Sequence, residues 1–466
     1  MVVNDARTGG HTSQGVPLWL DDRETVTRRP ALAQNITADV AIVGAGFTGL
    51  WAAYYLLQED PSLKVVLLER EYAGFGASGR NGGWCSAIFP VSLARVEKLY
   101  DHQAAIELQH AMNDTVAEVG RATNAAGIDC DYSPEGFVSL ARTPAQLTRA
   151  HATVAGADAF GVPGQWKFLD KNAATSIINA DGVLGGVHTP HCALLHPDKL
   201  VLGLASWIEN HGGVIYEDTA VTDFGDGRAQ TPGGTVTAGV VVRATEAFTP
   251  EFPQYRRNVA PLYSLVVATE PLPQDLRTRV GLDTRTAFND MRNLRIYAQV
   301  TSEGRLVFGG RGAPYHFRSA VSPKFDVNTK IHDKIVSTME DFFPSLAGVN
   351  ITHKWGGPLG VPRDWFPSVG YDRASKMAWA GPYVGDGVAT SNLAGRVLRN
   401  LITGTDDGLN RLPIVDHHSR KWEVEPFRWF GVNAGLQAAT ASDLEERVTG
   451  KPSKISAMLE KLTGAH

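Results

Sequence analysis

Short unbroken apolar runs alternate with stretches of helical period along much of the chain. Val40-Ala41-Ile42-Val43 leads into Gly44-Ala45-Gly46-Phe47-Thr48-Gly49 and then an apolar-periodic stretch through Leu57, which predicts strand, tight turn and helix. Lys64-Val65-Val66-Leu67-Leu68-Glu69 predicts the next strand of a βαβ unit. From about Val91 to Ala126, apolar residues at Leu93, Val96, Leu99, Ile106, Leu108, Met112, Val116 and Val119 predict core-facing helices. Alternation returns between Ile128 and Leu140, Pro144 opens another helix, and Trp166 to Leu169 reads as a short strand. His196-Pro197-Asp198 starts a helix that His211-Gly212-Gly213 stops, and strands follow at Val214 to Glu217 and Val240 to Thr245. The segment 251–349 reads as strands, at Tyr263 to Glu270, Leu294 to Thr301 and Arg305 to Arg311, the last two joined as a hairpin. Lys376 to Gly381 and then Gly385 to Thr390 predict a second strand, glycine loop and helix.

Composition narrows the class. With 466 residues, 43% hydrophobic and 20% charged, the chain has room for two or three domains and a sizeable core. A net charge of −5 gives no electrostatic case for nucleic acid or an anionic membrane. Three widely separated cysteines (Cys85, Cys130, Cys192) argue against a disulfide framework and suit a reducing compartment, so the cytoplasm is expected. No apolar stretch predicts a membrane span or a signal segment.

The first glycine turn carries chemistry. Gly44 permits the turn, Gly46 lets backbone approach a pyrophosphate and Gly49 lets the helix pack closely, while the helix N-terminus, with Phe47 and Thr48, offers N–H donors. Glu69 stands twenty positions beyond Gly49, where an acid can bind both hydroxyls of an adenosine ribose and disfavours a 2′-phosphate. This predicts a dinucleotide cradle and excludes NADP from it.

The small-residue loop Arg70 to Ala87, with Gly-Ala-Ser-Gly-Arg-Asn-Gly-Gly at 76–83, separates flavin from nicotinamide. At these residues the chain resembles the D-amino acid oxidase / glycine oxidase superfamily, and most closely its γ-glutamylputrescine oxidase-like branch. The resemblance implies an α/β fold: a discontinuous Rossmann-like FAD-binding domain (36–90, 195–248 and 350–405) and an α+β substrate domain on a mostly antiparallel sheet (91–194 and 249–349). Around these it leaves an N-terminal arm (1–35), anchored by Leu18 and Trp19, and a C-terminal helical tail (406–466). It assigns Arg70, Ala77, Ser78, Arg80, Asn81, Gly82, Gly83 and Trp84 to the ribityl chain and flavin, Val221 to adenine, and Ala244 and Thr245 to the floor under the dinucleotide. It also places the late turn, Gly381, Gly385, Asp386, Gly387, Val388 and Ala389, at the flavin pyrimidine end, where a helix N-terminus stabilises negative charge.

Relatives that tether FAD use a histidine or a cysteine. Here Trp84-Cys85 and Trp355-Gly356-Gly357 stand at those places, which predicts non-covalent FAD with Cys85 as a small buried residue. His188, His191, Cys192 and His196 are interrupted by Pro190 and Pro197, so no metal is expected, and His417-His418 reads as surface. The chain keeps Asp364-Trp365-Phe366-Pro367 but has Gly357-Pro358-Leu359-Gly360 where α-amino-acid oxidases carry an arginine, which favours an amine over a simple α-amino acid. Arg311, Arg295 and Arg363 remain as anion partners. Tyr297, Arg311, Trp355 (above the ring) and Asp386 are the expected catalytic pocket.

The resemblance therefore implies oxidation of a primary or secondary amine, or an amino acid derivative, to an imine, with hydride transfer to flavin N5 and reoxidation by O2 to H2O2 or by another acceptor. A monomer or homodimer is expected, with the aromatic cluster Trp422, Phe427, Trp429, Phe430 and the helix through Ile455, Met458, Leu459 and Leu462 serving packing or an oligomer contact. Two alternatives stay open: an NAD-dependent Rossmann dehydrogenase, which leaves Gly381 to Ala389 without a purpose, and a flavin-binding non-catalytic subunit.

Overall fold

The computed structural model describes residues 12–463 except 22 and 24–26. The first eleven residues of the arm and the side chain of Leu462 lie outside the described residues. Five strands form a parallel layer in the order Val214–Tyr216, Val65–Leu68, Ile36–Val43, Gly234–Arg243, Met377–Ala380. The first half of Gly234–Arg243 pairs instead with Arg228–Thr231, so one long strand changes neighbour midway. Period-two alternation sends Val40 and Ile42 into the larger core, with the helices Phe47–Glu59, Pro197–Asn210 and Gly387–Thr403. Ala41 and Val43 enter a smaller core with Phe224 and Ala229 on the opposite face. Burial on both faces explains why these strands read as continuous apolar runs.

Because the strands are parallel, their carboxyl ends finish on one edge. Val43, Leu68, Arg243 and Ala380 hand over there to Gly44, Glu69, Ala244 and Gly381. In open α/β sheets that edge is where ligands bind.

The second sheet has nine strands, mostly antiparallel, with Ile351–Val361, Ala260–Pro271, Arg305–Gly310 and Ile296–Val300 in succession near one side. The helix Thr329–Phe342 covers its outer face through Ile335, Met339 and Phe342. This corrects the all-strand expectation for 251–349. Ile331, Ile335 and Met339 recur every fourth residue, and the Asn328 side chain accepts from Ile331 N at 3.2 Å to cap the first turn. Gln274–Val280 is a further short helix in this segment.

Two segments pack across the sequence-drawn domain limits. Strand Ile351–Val361 belongs to the nine-stranded sheet, and helix His102–Ala125 buries Leu108, Met112, Val116 and Val119 in the core of the parallel layer. The arm straps both halves: Ser13–Gln14 pairs with His353–Lys354, Leu18 and Trp19 are buried, and Arg23 forks onto Asp198 at 2.8 and 2.9 Å. Among the described residues, no helix is long and apolar enough to cross a membrane.

Candidate active site

A cavity of about 280 Å³ runs along the carboxyl edge of the parallel layer. Gly44, Gly46, Phe47 and Thr48 of the first turn line it together with Gly385, Gly387 and Val388 of the late turn, so two turns about 340 residues apart in sequence meet on one cavity. Glu69, Arg70, Ala77, Ser78, Asn81, Val221, Ala244 and Thr245 complete the predicted wall.

Local geometry explains the residue choices. Gly44 sits at φ +106°, and a Cβ there would lie 2.6 Å from the Ala244 carbonyl oxygen. Gly49 lies behind the wall, where a Cβ would be 2.1 Å from the Gly44 carbonyl oxygen, so its role is close packing of helix on turn. Phe47 N donates to Ser78 Oγ at 2.8 Å, which ties the loop to the first turn. Glu69 accepts from Ala45 N at 2.9 Å and Glu71 N at 3.0 Å; burial pushes its carboxyl up, and those two amides hold it back. Arg70 pairs with Glu251 at 2.7 Å and lies 4.9 Å over the Phe248 ring. Thr48 Oγ1 donates to Tyr383 Oη at 3.1 Å, joining the two turns directly. Gly381 and Ala389 shape the late turn and its helix without lining the cavity.

A second cavity of about 150 Å³ adjoins the first and shares Ala77, Asn81, Leu359, Gly385 and Val388 with it. Tyr297, Arg311 and Asp386 line it as expected, with Arg80, Gly82 and Trp84 from the loop and Arg295 from the sheet. Tyr297 Oη lies 2.9 Å from Ser264 Oγ. A Cβ on Gly82 would stand 2.6 Å from the Tyr297 ring, so only glycine lets the loop pass it. Arg311 donates to the Val384 carbonyl at 2.7 Å and lies 5.7 Å over Trp365. Burial raises the Asp386 carboxyl to about 6, against the opposing pull of Arg311 and Arg295. Gly83, at φ +74°, lines neither cavity and turns the chain behind the loop.

Trp355 is not above the cavity. It shares a strand face with Gly357 and Leu359 but sits one step further along, capped by Leu18 and Trp19 and fully buried. Its indole N–H donates to the Arg80 carbonyl at 2.9 Å, while that of Trp19 donates to the Asn81 carbonyl at 2.7 Å. Two tryptophans thus hold consecutive carbonyls of the loop from behind. Arg80 itself pairs with Asp326 at 2.8 Å and donates to the Phe75 carbonyl at 2.8 Å.

Other expectations resolve to packing. Arg363 pairs with Glu423 at 3.0 Å, away from both cavities. His417 is not a surface residue, since its ring stacks on Phe366 and Nε2 lies 2.8 Å from Asp364. All three cysteines are buried and free, and burial pushes the Cys85 thiol well above its ordinary value. Among the described residues, no three His, Cys, Asp or Glu side chains gather as a metal site.

Tyr383, Glu246, Ser264 and Asn289 line the cavities without having been expected. Glu246 adopts φ +40° beside Thr245, and its carboxylate accepts from Gly360 N with both oxygens at 2.9 and 3.0 Å. Burial raises it to about 7. No sequence signal marks it, because its partner amide lies on the other sheet.

Two helices, Phe47–Glu59 and Gly387–Thr403, begin at the larger cavity, and neither N-cap residue makes a side-chain cap. Ser78 takes the Phe47 amide, and the remaining first-turn amides of both helices suit an anion in the middle of the cavity, while a buried carboxylate held only by backbone amides suits hydroxyls at one end. These residues fit a dinucleotide. Comparison with known proteins gives its identity: the model of the family described as DAO, FAD dependent oxidoreductase, matches residues 39–401. The chain is 30% identical over 392 residues to the γ-glutamylputrescine oxidoreductase of Escherichia coli, covering 83% of this chain and 88% of that protein. It is 28% identical over 409 residues to the probable oxidoreductase OrdL of Haemophilus influenzae, covering 84% and 89%. Among solved structures, glycine oxidase from Geobacillus kaustophilus superposes with a TM-score of 0.69 at 20% identity, over 82% of this chain and all of that one, a likeness of fold. With both turns on one cavity and the family model covering most of the sequence, this chain belongs to the DAO family of FAD-dependent oxidoreductases.

Proposed function

We propose that this enzyme oxidises a primary or secondary amine, or an amino acid derivative, to an imine that water then hydrolyses. FAD, when bound, supplies a two-electron acceptor that takes hydride at N5 and returns the electrons to O2, giving H2O2, or to another acceptor. The observation that carries the proposal is the smaller cavity, which opens on the dinucleotide cavity at Gly385 and sets the Asp386 carboxylate and the Arg80, Arg295 and Arg311 guanidinium groups into a wall that also holds Trp84, Ile88, Phe89, Ile296, Tyr297 and Trp365. The names of two relatives, γ-glutamylputrescine oxidoreductase and glycine oxidase, point to nitrogen-bearing substrates.

In this reading Gly44, Gly46 and Thr48 hold the pyrophosphate, Glu69 the ribose hydroxyls and Val221 the adenine. The loop from Ala77 to Trp84 holds the flavin side, without a covalent tether. The amides starting at Gly387 face the pyrimidine end, where the helix dipole favours negative charge. Asp386, ionised above about pH 6, attracts the substrate cation and takes the proton that its ammonium group gives up to become the neutral amine that loses hydride, and Tyr297 with Trp84 walls the site from water. Arg311 fixes the late turn through Val384 and balances the charge of Asp386. A cytoplasmic location belongs to the same reading, supported by three free cysteines.

The test is the visible spectrum of the purified protein under argon before and after an amine panel. Flavin bands that bleach with an amine and return in air support an amine oxidase. Bands that bleach and return only with an artificial acceptor support a dehydrogenase. Bands that no amine bleaches overturn the substrate class, and a protein that takes up no flavin overturns the cofactor.

A further inference from the structure

The surface helix Phe427–Thr449 is apolar on both sides. Toward the body Trp429 and Val432 pack on the cluster around Tyr315 and Trp422, and polar groups dock beside them: Arg428 donates to the Arg256 carbonyl at 3.3 Å, and Asn433 accepts from Tyr315 N and donates to its carbonyl at 3.0 and 3.1 Å. Asp443 accepts from Asn293 N and Leu294 N at 2.7 and 3.0 Å, and Glu446 pairs with Arg149. Toward solvent it presents Phe427, Phe430, Ala434, Gln437, Ala441, Leu444 and Val448, every one exposed. An ordinary surface helix keeps its solvent face polar.

Those seven positions are spaced three and four residues apart in strict alternation, the seam of a helix that packs against another helix. Its four large side chains are 61 to 77% exposed. By the usual sizes of such side chains they offer on the order of 400 Å² of apolar surface per copy. Two such faces and the small residues between them reach the scale of roughly 1,200 Å² at which specific dimers begin. The size pattern is also a palindrome: two large residues, Ala434, Gln437, Ala441, two large residues. The order of sizes is the same from either end, so in an antiparallel pair about a two-fold axis large residues meet large and small meet small. The helix lies beyond residue 401, where the match to the family model stops.

We propose that this helix is the interface of a homodimer, in which two copies pair antiparallel about an axis near Gln437, with Phe427 and Phe430 of one copy against Val448 and Leu444 of the other. Small residues at Ala434 and Ala441 let the two backbones approach, and opposed helix dipoles add to the pairing.

The test uses the full-length holoprotein. Light scattering after size exclusion at micromolar concentration is expected to give twice the 50.2 kDa chain mass. The pair Phe430→Glu and Leu444→Glu, both at exposed positions, is expected to shift it to monomer with unchanged flavin absorption. Gln437→Cys is expected to form a disulfide-linked dimer under mild oxidant, against a low background because the native cysteines are buried. Phe430→Cys alone is expected to stay uncross-linked, and Phe430→Cys mixed with Leu444→Cys to cross-link. A monomeric wild type, or a dimer that survives both glutamates, overturns the proposal. So does a monomer that co-sediments with phosphatidylglycerol vesicles, which assigns the face to a membrane surface. A homotypic Phe430→Cys cross-link overturns the antiparallel arrangement.

Discussion

The two adjoining cavities are built from different parts of the chain. The larger is mostly backbone: two glycine turns, two helix starts and a strand-end carboxylate held by amides. The smaller is mostly long side chains, from Trp84, Tyr297, Arg295, Arg311, Trp365 and Asp386. Backbone sites depend on conformation, so they tolerate few residues and recur across a family. Side-chain sites can be refitted one residue at a time, which is how one fold serves many substrates.

That contrast predicts a ranking of effects. The largest falls on the cradle: Gly44→Val places side-chain carbon where the Ala244 carbonyl already sits, at a φ that L residues rarely adopt. It is expected to abolish flavin binding, read as loss of the visible flavin absorption. A variant that keeps full absorbance breaks the distinction between the two cavities.

Asp386→Asn, in the smaller cavity, is expected to retain flavin and lose about 10- to 100-fold in kcat/KM for a cationic amine, the scale of a removed charge contact. The wild-type carboxyl titrates at about 6 and is ionised above it. Substrate affinity should therefore rise as pH increases through about 6, and the asparagine variant should lose that limb.

Trp355→Phe acts from behind the loop that both cavities share. It leaves the Arg80 carbonyl without its buried donor, at a cost of about 1–3 kcal/mol. The expected result is a melting temperature lowered by several degrees with a smaller change in kcat than Asp386→Asn gives. A kcat loss larger than that of Asp386→Asn would return Trp355 to the reacting site.

The smallest effect concerns Glu246. Its carboxyl is raised from 4.5 to about 7 by burial, so the fold binds its proton more tightly than the unfolded chain does. The resulting stability is present below about pH 4.5 and lost as pH rises through about 7. Glu246→Gln should flatten that fall in the melting temperature of the apoprotein, and an unchanged slope would show that the titration lies elsewhere.

What could be read in the sequence follows the same division. Gly44, Gly46, Glu69 and the late turn were legible because a tight turn, a helix start and a strand-end acid leave fixed spacings. Val221, Ala244 and the Ser78 to Gly83 loop came with the family resemblance; Val221, Ala244, Ser78 and Asn81 line the larger cavity, Arg80 and Gly82 the smaller, and Gly83 neither. Trp355 was misplaced because alternation fixes a strand face but not the distance along it, and the arm that caps it lies more than 300 residues away in sequence. Tyr383 and Glu246 left no trace, since each acts through a partner on a distant segment, Thr48 and Gly360. The helix at Thr329–Phe342 was hidden inside a segment dominated by strands.

Hydrogen–deuterium exchange of the apoprotein with FAD and with ADP tests the joint use of the two turns most directly. FAD is expected to protect the amide of Thr48 together with those of Gly387 and Val388, whereas ADP protects Thr48 alone. Protection by FAD that stops at the first turn would contradict the account.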